Sequence, residues 1–169
     1  MSGAVRPLLG MGVALTLVAA STQPHAPRLV WNLSASAPPG LYRIGAREGL
    51  AVGDLVATRL PAPLATWMAS RGYLAAGAPL LKRVAAGPGS TICRNGARLS
   101  IDGRGVAAAQ TRDRSGRPLP AWHGCRVLRS DQLFLLNAEV SDSFDGRYLG
   151  PLDADLVIGR AHPLWTRGG

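Results

Sequence analysis

Pro79-Leu80-Leu81-Lys82-Arg83-Val84-Ala85-Ala86-Gly87-Pro88-Gly89 is the stretch around which the rest of the chain is read. Leu80 to Ala85 has the apolar run of a strand, with a lysine inside it. Lys82 is the only lysine of the protein; the other 18 of the 19 Lys+Arg are arginine. Arginine therefore meets the ordinary need for positive charge everywhere else. A guanidinium stays protonated, whereas a desolvated ammonium can lose its proton and become a base. Burial moves a lysine pKa down from about 10.4, in extreme cases to roughly 5–6. Two plainer readings stand beside this one. Lys82 can be a surface lysine at a strand end, and the arginine excess can reflect a GC-rich coding sequence.

The 169 residues fit one domain with a short N-terminal appendage, at a boundary near residue 27: an N-terminal segment 1–27 and a domain 28–169. Hydrophobic residues make up 47%, enough for a sizeable core. With 21 Gly and 13 Pro between short apolar runs, the chain reads as mainly β and rich in turns. The net charge of +9 would suit nucleic acid or an anionic membrane surface. Its arginines are spread along the chain, aromatics are 5%, and no nucleic-acid-binding motif accompanies them. A nucleic-acid partner is therefore set aside, and a basic surface beside a membrane is kept.

Residues 7–24 carry no charge, and Leu8 to Ala20 is almost wholly apolar behind Arg6. This is a short membrane anchor or the apolar part of a secretory signal. Either one puts the residues after about 25 outside the cytoplasm, because Arg6 holds the N-terminus inside. Ser21 to Pro27 is a linker. Strands are expected over Arg28–Leu33, Leu41–Ile44, Val52–Ala57, Leu80–Ala85, Gln132–Leu136 and Leu156–Gly159. Thr91–Arg94 and Ala97–Ile101 form hairpin units at the turn dipeptides Asn95-Gly96 and Asp102-Gly103. One short helix is expected over Pro63–Ala76, where Leu64, Trp67 and Met68 recur at helical spacing, with Gly77 beyond its end. Thr111–Pro120 and Ser141–Pro151 read as loops.

Cys93 and Cys125 fit one disulfide in an exported domain. The alternatives are two buried thiols, or a metal site with His123, whose spacing matches no zinc pattern. No metal or other cofactor is indicated. His25 and His162 receive no role.

Ser36 stands in Ser-Ala-Pro-Pro-Gly-Leu-Tyr, a rigid turn between strands that presents a hydroxyl; simple turn chemistry explains the same residues. Three patterns now stand in order: Ser34-x-Ser36-x-Pro38-x-Gly40-Leu41-Tyr42, Leu81-Lys82-Arg83-Val84-Ala85-Ala86-x-Pro88-Gly89 and Ser143-x-Asp145-x-Arg147-Tyr148-x-Gly150-Pro151. With the leading apolar segment, the set resembles the type I signal peptidases over nearly the whole chain. It looks closest to their conjugative-transfer, TraF-type branch.

The resemblance implies a fold, a coiled antiparallel β-sheet core, and a Ser/Lys dyad. Ser36 would be the nucleophile and Lys82 the general base. Ser34 would assist the Ser36 backbone N–H in binding the oxyanion. Ser143 would orient the lysine, and Asp145 and Arg147 would brace the site as an ion pair. The chain departs from the family pattern at Ser90, where Asp is common, and at Gly146, where Ser is usual. The implied substrate is a pilin or other preprotein with small residues before the cut, bound as an added strand. The implied location is the bacterial inner membrane with the catalytic domain on the periplasmic side. Hydrolysis and cyclisation of the pilin share one acyl-enzyme. A non-catalytic exported β-domain that binds a partner in a conjugation or secretion assembly is the competing reading. A self-cleaving repressor-type Ser/Lys protease would need a DNA-binding N-terminus where this chain has an apolar segment.

Overall fold

A computed structural model describes residues 29–167. The N-terminal apolar segment and the linker read from the sequence lie outside them. The described chain is mainly β. Its larger sheet has seven strands, in the order β1-β2-β11-β3-β4-β9-β10, and every pairing is antiparallel. Here β1 is Leu29–Asn32, β2 Gly40–Ile44, β3 Leu55–Thr58, β4 Leu80–Ala86, β9 Gln132–Leu135, β10 Leu152–Asp153 and β11 Val157–Thr166. The smaller sheet orders β7-β6-β5-β8, with β5 Thr91–Asn95, β6 Arg98–Ile101, β7 Arg104–Ala108 and β8 Gly124–Val127. Register shifts in β11 and between β4 and β9 bend the larger sheet, as extra residues in one strand do.

β4 is the keel of this arrangement. Its side chains alternate between faces, and Leu81, Val84 and Ala86 each enter a different one of three apolar clusters. Leu81 packs with Tyr42, Ala57 and Ala161; Val84 with Val56, Leu135 and Val157; Ala86 with Ile92, Leu99, Phe134 and Trp122. The turn after Ala86 then leads straight into the smaller sheet.

Several elements differ in extent from the sequence expectation. The helix α1 covers only Ala62–Ser70. It stops at Gly72, which has φ +72, and Tyr73 leaves to hydrogen-bond Asp113, so the apolar residues beyond belong to a loop. The hairpin between β5 and β6 turns on Gly96-Ala97 rather than Asn95-Gly96, since Asn95 pairs with Arg98. Gly96 has φ +59, which the first position of a type II′ turn requires. The strand read as ending near Gly159 runs on to Thr166, carried by its pairing with β2. Within Ser141–Pro151 a single helical turn, α2 Gly146–Leu149, forms because Asp145 caps it. β8 has no apolar alternation of its own; the ladder to β5 defines it.

Candidate active site

Lys82 lies mid-strand in β4, only 2% exposed. Its Nζ donates to Ser143 Oγ at 2.8 Å. Burial lowers its pKa to about 8; the Asp145 and Asp142 carboxylates pull it up and the Arg147 guanidinium pushes it down. An amine in that range is neutral often enough near neutral pH to accept a proton. The surface-lysine reading is therefore excluded.

Ser34 and Ser36 sit in the turn between β1 and β2. Asn32, the buried last residue of β1, organises this turn. Its Nδ2 donates to the carbonyls of Ser34 (3.0 Å), Ala37 (2.9 Å) and Pro38 (3.2 Å). Its Oδ1 accepts from the Ser34 N–H at 3.1 Å and the Ser34 hydroxyl at 3.0 Å. An amide oxygen only accepts, so the single hydroxyl proton of Ser34 is committed to Asn32. The 2.9 Å contact between Ser34 Oγ and Ser36 Oγ must then use the proton of Ser36. In this arrangement Ser36 donates to Ser34 while Lys82 donates to Ser143, and Ser36 and Lys82 are not hydrogen-bonded to one another. All four residues line one cavity of about 320 Å³. Met68, Tyr73, Phe144 and Tyr148 also line it, and an Arg114–Asp142 ion pair joins two more of its lining residues. Ser36 also borders a second groove, shared with Arg83–Ala85 and Leu136–Val140.

Asp145 and Arg147 are 0% and 1% exposed in their side chains and lie together, Nε to Oδ1 at 3.5 Å. Most of their bonds go to backbone. Asp145 Oδ1 accepts from the Arg147 N–H (3.2 Å), capping α2, and Oδ2 from the Asn137 N–H (3.0 Å). Arg147 donates to the carbonyls of Val140 (2.8 Å), Ser141 (2.7 Å) and Asn137 (2.7 Å). The pair thus fixes the loop that presents Ser143. Burial raises the Asp145 pKa, against the lowering pull of Arg147, the Asn137 N–H and Lys82. The smaller sheet leans on the same loop: Arg94 donates to the Arg147 carbonyl, and Trp122 Nε1 to the Gly146 carbonyl at 3.0 Å.

Gly146, one of the two departures noted in the sequence, has a packing cause. A Cβ there would lie 2.6 Å from Phe134 Cζ and 2.7 Å from the Leu135 carbonyl oxygen. Phe134 fills the space that a serine would need. Cys93 and Cys125 are bonded as directly opposed residues of β5 and β8, apart from the residues lining the cavity. His123 is exposed. Sequence reasoning did not single out Asn32 and Asn137. Each interrupts or ends an apolar run at a strand end, and that is the one signal that could have found them.

The sequence profile of the family described as signal peptidase, peptidase S26, matches residues 4–165. The "Probable conjugal transfer protein TraF" of Sinorhizobium fredii is 38% identical over 145 residues, covering 80% of this chain and 76% of the relative. The conjugal transfer protein TraF of Agrobacterium fabrum is 34% identical over 147 residues, covering 80% and 81%. A crystal structure of a signal peptidase I from Enterococcus faecalis aligns with TM-score 0.39 and 17% identity, over 67% of this chain and 97% of that one. On the extent of the profile match and the identity to these relatives, the chain belongs to the signal peptidase S26 family.

Proposed function

We propose that the protein is a membrane-bound serine endopeptidase that removes leader peptides from exported proteins by a Ser36/Lys82 dyad. One observation carries this reading: the single lysine of an arginine-rich chain is buried on a cavity it shares with Ser34, Ser36 and Ser143, with its pKa lowered to about 8. For catalysis the Ser36 hydroxyl turns from Ser34 toward Lys82. The neutral amine takes its proton as Oγ attacks the scissile carbonyl, and returns it to the leaving amine. Water then hydrolyses the acyl-enzyme. The Ser36 N–H and Ser34 would hold the oxyanion, the latter by releasing Asn32.

β4 offers an edge for the substrate. Leu80–Arg83 pair with β3 on one side; on the other, Leu136 and the Asn137 side chain take the Arg83 N–H and carbonyl and the Leu81 carbonyl, which leaves only the part upstream of these groups open. An extended peptide can add at the open part as a further strand, with small residues at the first and third positions before the cut. Trp31 and Trp165 (56% and 52% exposed) stack at 5.7 Å, with exposed Leu29, Leu33 and Leu164 around them. This apolar patch at the N-terminal edge strand suits a membrane surface. The names of the relatives, conjugal transfer proteins, suggest conjugation as the setting, and for that setting a pilin precursor is the substrate of this reading. The location would be the inner membrane, facing the periplasm.

Incubation of the full-length membrane protein with an unprocessed pilin precursor, read by intact mass, tests the proposal. Hydrolysis gives a shortened pilin, and cyclisation a product one water lighter still. An unchanged precursor rejects the activity on this substrate. A non-catalytic partner-binding domain is the second reading. What favours it is that Ser36 is bonded to Ser34 and not to Lys82.

A further inference from the structure

Asn137 belongs to none of the three sequence patterns, yet it joins all three: its side chain reaches Ser36 and the strand of Lys82, and its main chain reaches Asp145 and Arg147. It follows β9 and is buried. The Leu136 N–H gives β9's last ladder bond, to the Arg83 carbonyl at 2.9 Å. Beyond that point the Asn137 side chain takes the place of a strand. Its Oδ1 accepts from the Arg83 N–H at 3.0 Å, and its Nδ2 donates to the Leu81 carbonyl at 3.2 Å. These two groups flank Lys82. One amide that accepts from residue i+1 and donates to residue i−1 reproduces the bonding of a parallel neighbour strand centred on Lys82. The second Nδ2 proton goes to the Ser36 carbonyl. The amide's orientation is unambiguous, because the oxygen faces an N–H and the nitrogen faces two carbonyls. The main chain of Asn137 completes the set, donating to Asp145 and accepting from Arg147.

We infer that Asn137 is a positioning residue that pins the Ser36 backbone to the Lys82 strand and closes the β4 edge at Lys82. The inference rests on the peptidase reading for its catalytic part. Ser36 and Lys82 come from elements far apart in sequence, and neither β1 nor β2 neighbours β4 in the sheet. Without a tether, the turn carrying Ser36 could shift against β4 by the fraction of an ångström that matters to proton transfer. The blocked edge has a second consequence. A peptide strand added upstream of Lys82 runs out of backbone partners there, so the bond presented to Ser36 is fixed by where Asn137 stands. Asn137 thereby sets the register of cleavage.

The test uses the full-length protein. In the wild type, the Asn137 side-chain amide protons should exchange slowly by NMR, with through-hydrogen-bond couplings to the Ser36 and Leu81 carbonyls. Rapid exchange of that amide overturns the tether without any variant being needed. Asn137→Asp keeps the acceptor for Arg83 and removes both donors; Asn137→Ala removes all three bonds without adding charge. Each variant should raise deuterium uptake in residues 33–40 while β3 and β9 stay protected. Each should lower kcat on a precursor peptide about a hundredfold with KM nearly unchanged, and spread cleavage to adjacent bonds. Wild-type kcat and a single wild-type cleavage site in either folded variant would overturn the positioning role. If the wild type itself cleaves no substrate, the peptidase reading and the catalytic role both fall, and the exchange measurements alone decide the tether.

Discussion

Lys82 is where charge and chemistry separate. Arginine keeps the positive charge but cannot accept a proton, so a folded Lys82→Arg protein should lose precursor processing altogether. Processing at near wild-type rate would end the Ser/Lys reading. The wild-type rate should rise with pH through about 8, as the buried amine becomes neutral. The same shift has a consequence for stability. The folded-state pKa lies below the unfolded one, so between about pH 8 and roughly 10.4 the unfolded chain holds the extra proton. Stability from this group therefore rises with pH across that window, and below it the buried charge is a burden. Lys82→Met should accordingly stabilise the fold near neutral pH by up to about 3 kcal/mol, with the gain shrinking at alkaline pH, as read from urea titrations. At the serines, Ser36→Ala should abolish turnover and Ser34→Ala should leave a measurable rate. Equal, mild losses would remove Ser36 from the nucleophile's role.

Two elements near the site carry tests of their own. The turn α2 packs its first residue, Gly146, against Phe134 at a distance no Cβ tolerates. Gly146→Ser should cost about 1–3 kcal/mol in a thermal melt, and Phe134→Leu in the same chain should recover part of the loss. If the serine is accepted without cost, contact with Phe134 is not why glycine stands there. Across β1, β2 and β11, Trp31 and Trp165 both lie opposite Leu41 and form a continuous apolar strip with it. Replacing both tryptophans by serine in a protein lacking residues 1–27 should weaken its co-sedimentation with anionic lipid vesicles while leaving the fold intact. Undiminished binding would assign membrane contact to another surface.

The two sheets share the apolar cluster of Ala86, Phe134, Ile92 and Leu99, and Arg94 and Trp122 bond to α2 just after Ser143, so the stability of the smaller sheet bears on the geometry of the site. Its internal tie is the Cys93–Cys125 bond, which closes a separation of 32 residues. A loop of that length gives roughly 3–4 kcal/mol of stabilisation in the chain-entropy account. Alkylation of the native protein without reductant should label neither cysteine. Reduction should lower the melting temperature and loosen the Arg94 and Trp122 contacts to α2. Both thiols labelled in the folded protein would refute the bond. For the intact cell, the export reading expects protease added to spheroplasts to digest the domain; a domain protected until lysis would reject it.

Lys82 was conspicuous from composition alone, because a residue type used once needs no neighbours to be noticed. The spacing of the three patterns was also legible, as were most strands, since alternating apolar residues and turn dipeptides are local properties of a chain. Strand pairing is not local. β8 and the long C-terminal part of β11 exist because ladders to β5 and β2 hold them, and α1 ends early because Tyr73 is drawn to Asp113. The environment of Lys82 likewise depended on which loop lay over β4. Asn32 and Asn137 stayed hidden for the same reason. An asparagine at the end of an apolar run reads as a turn former, and only tertiary structure reveals which carbonyls its amide will reach. The sequence determined which chemical groups the site could draw on, because those are fixed residue by residue. The resting bond from Ser36 to Ser34 is local, set by Asn32 in the same turn, but the meeting of these serines with Lys82 and Ser143 was decided by long-range packing, which brings together groups that local sequence leaves about fifty to a hundred residues apart.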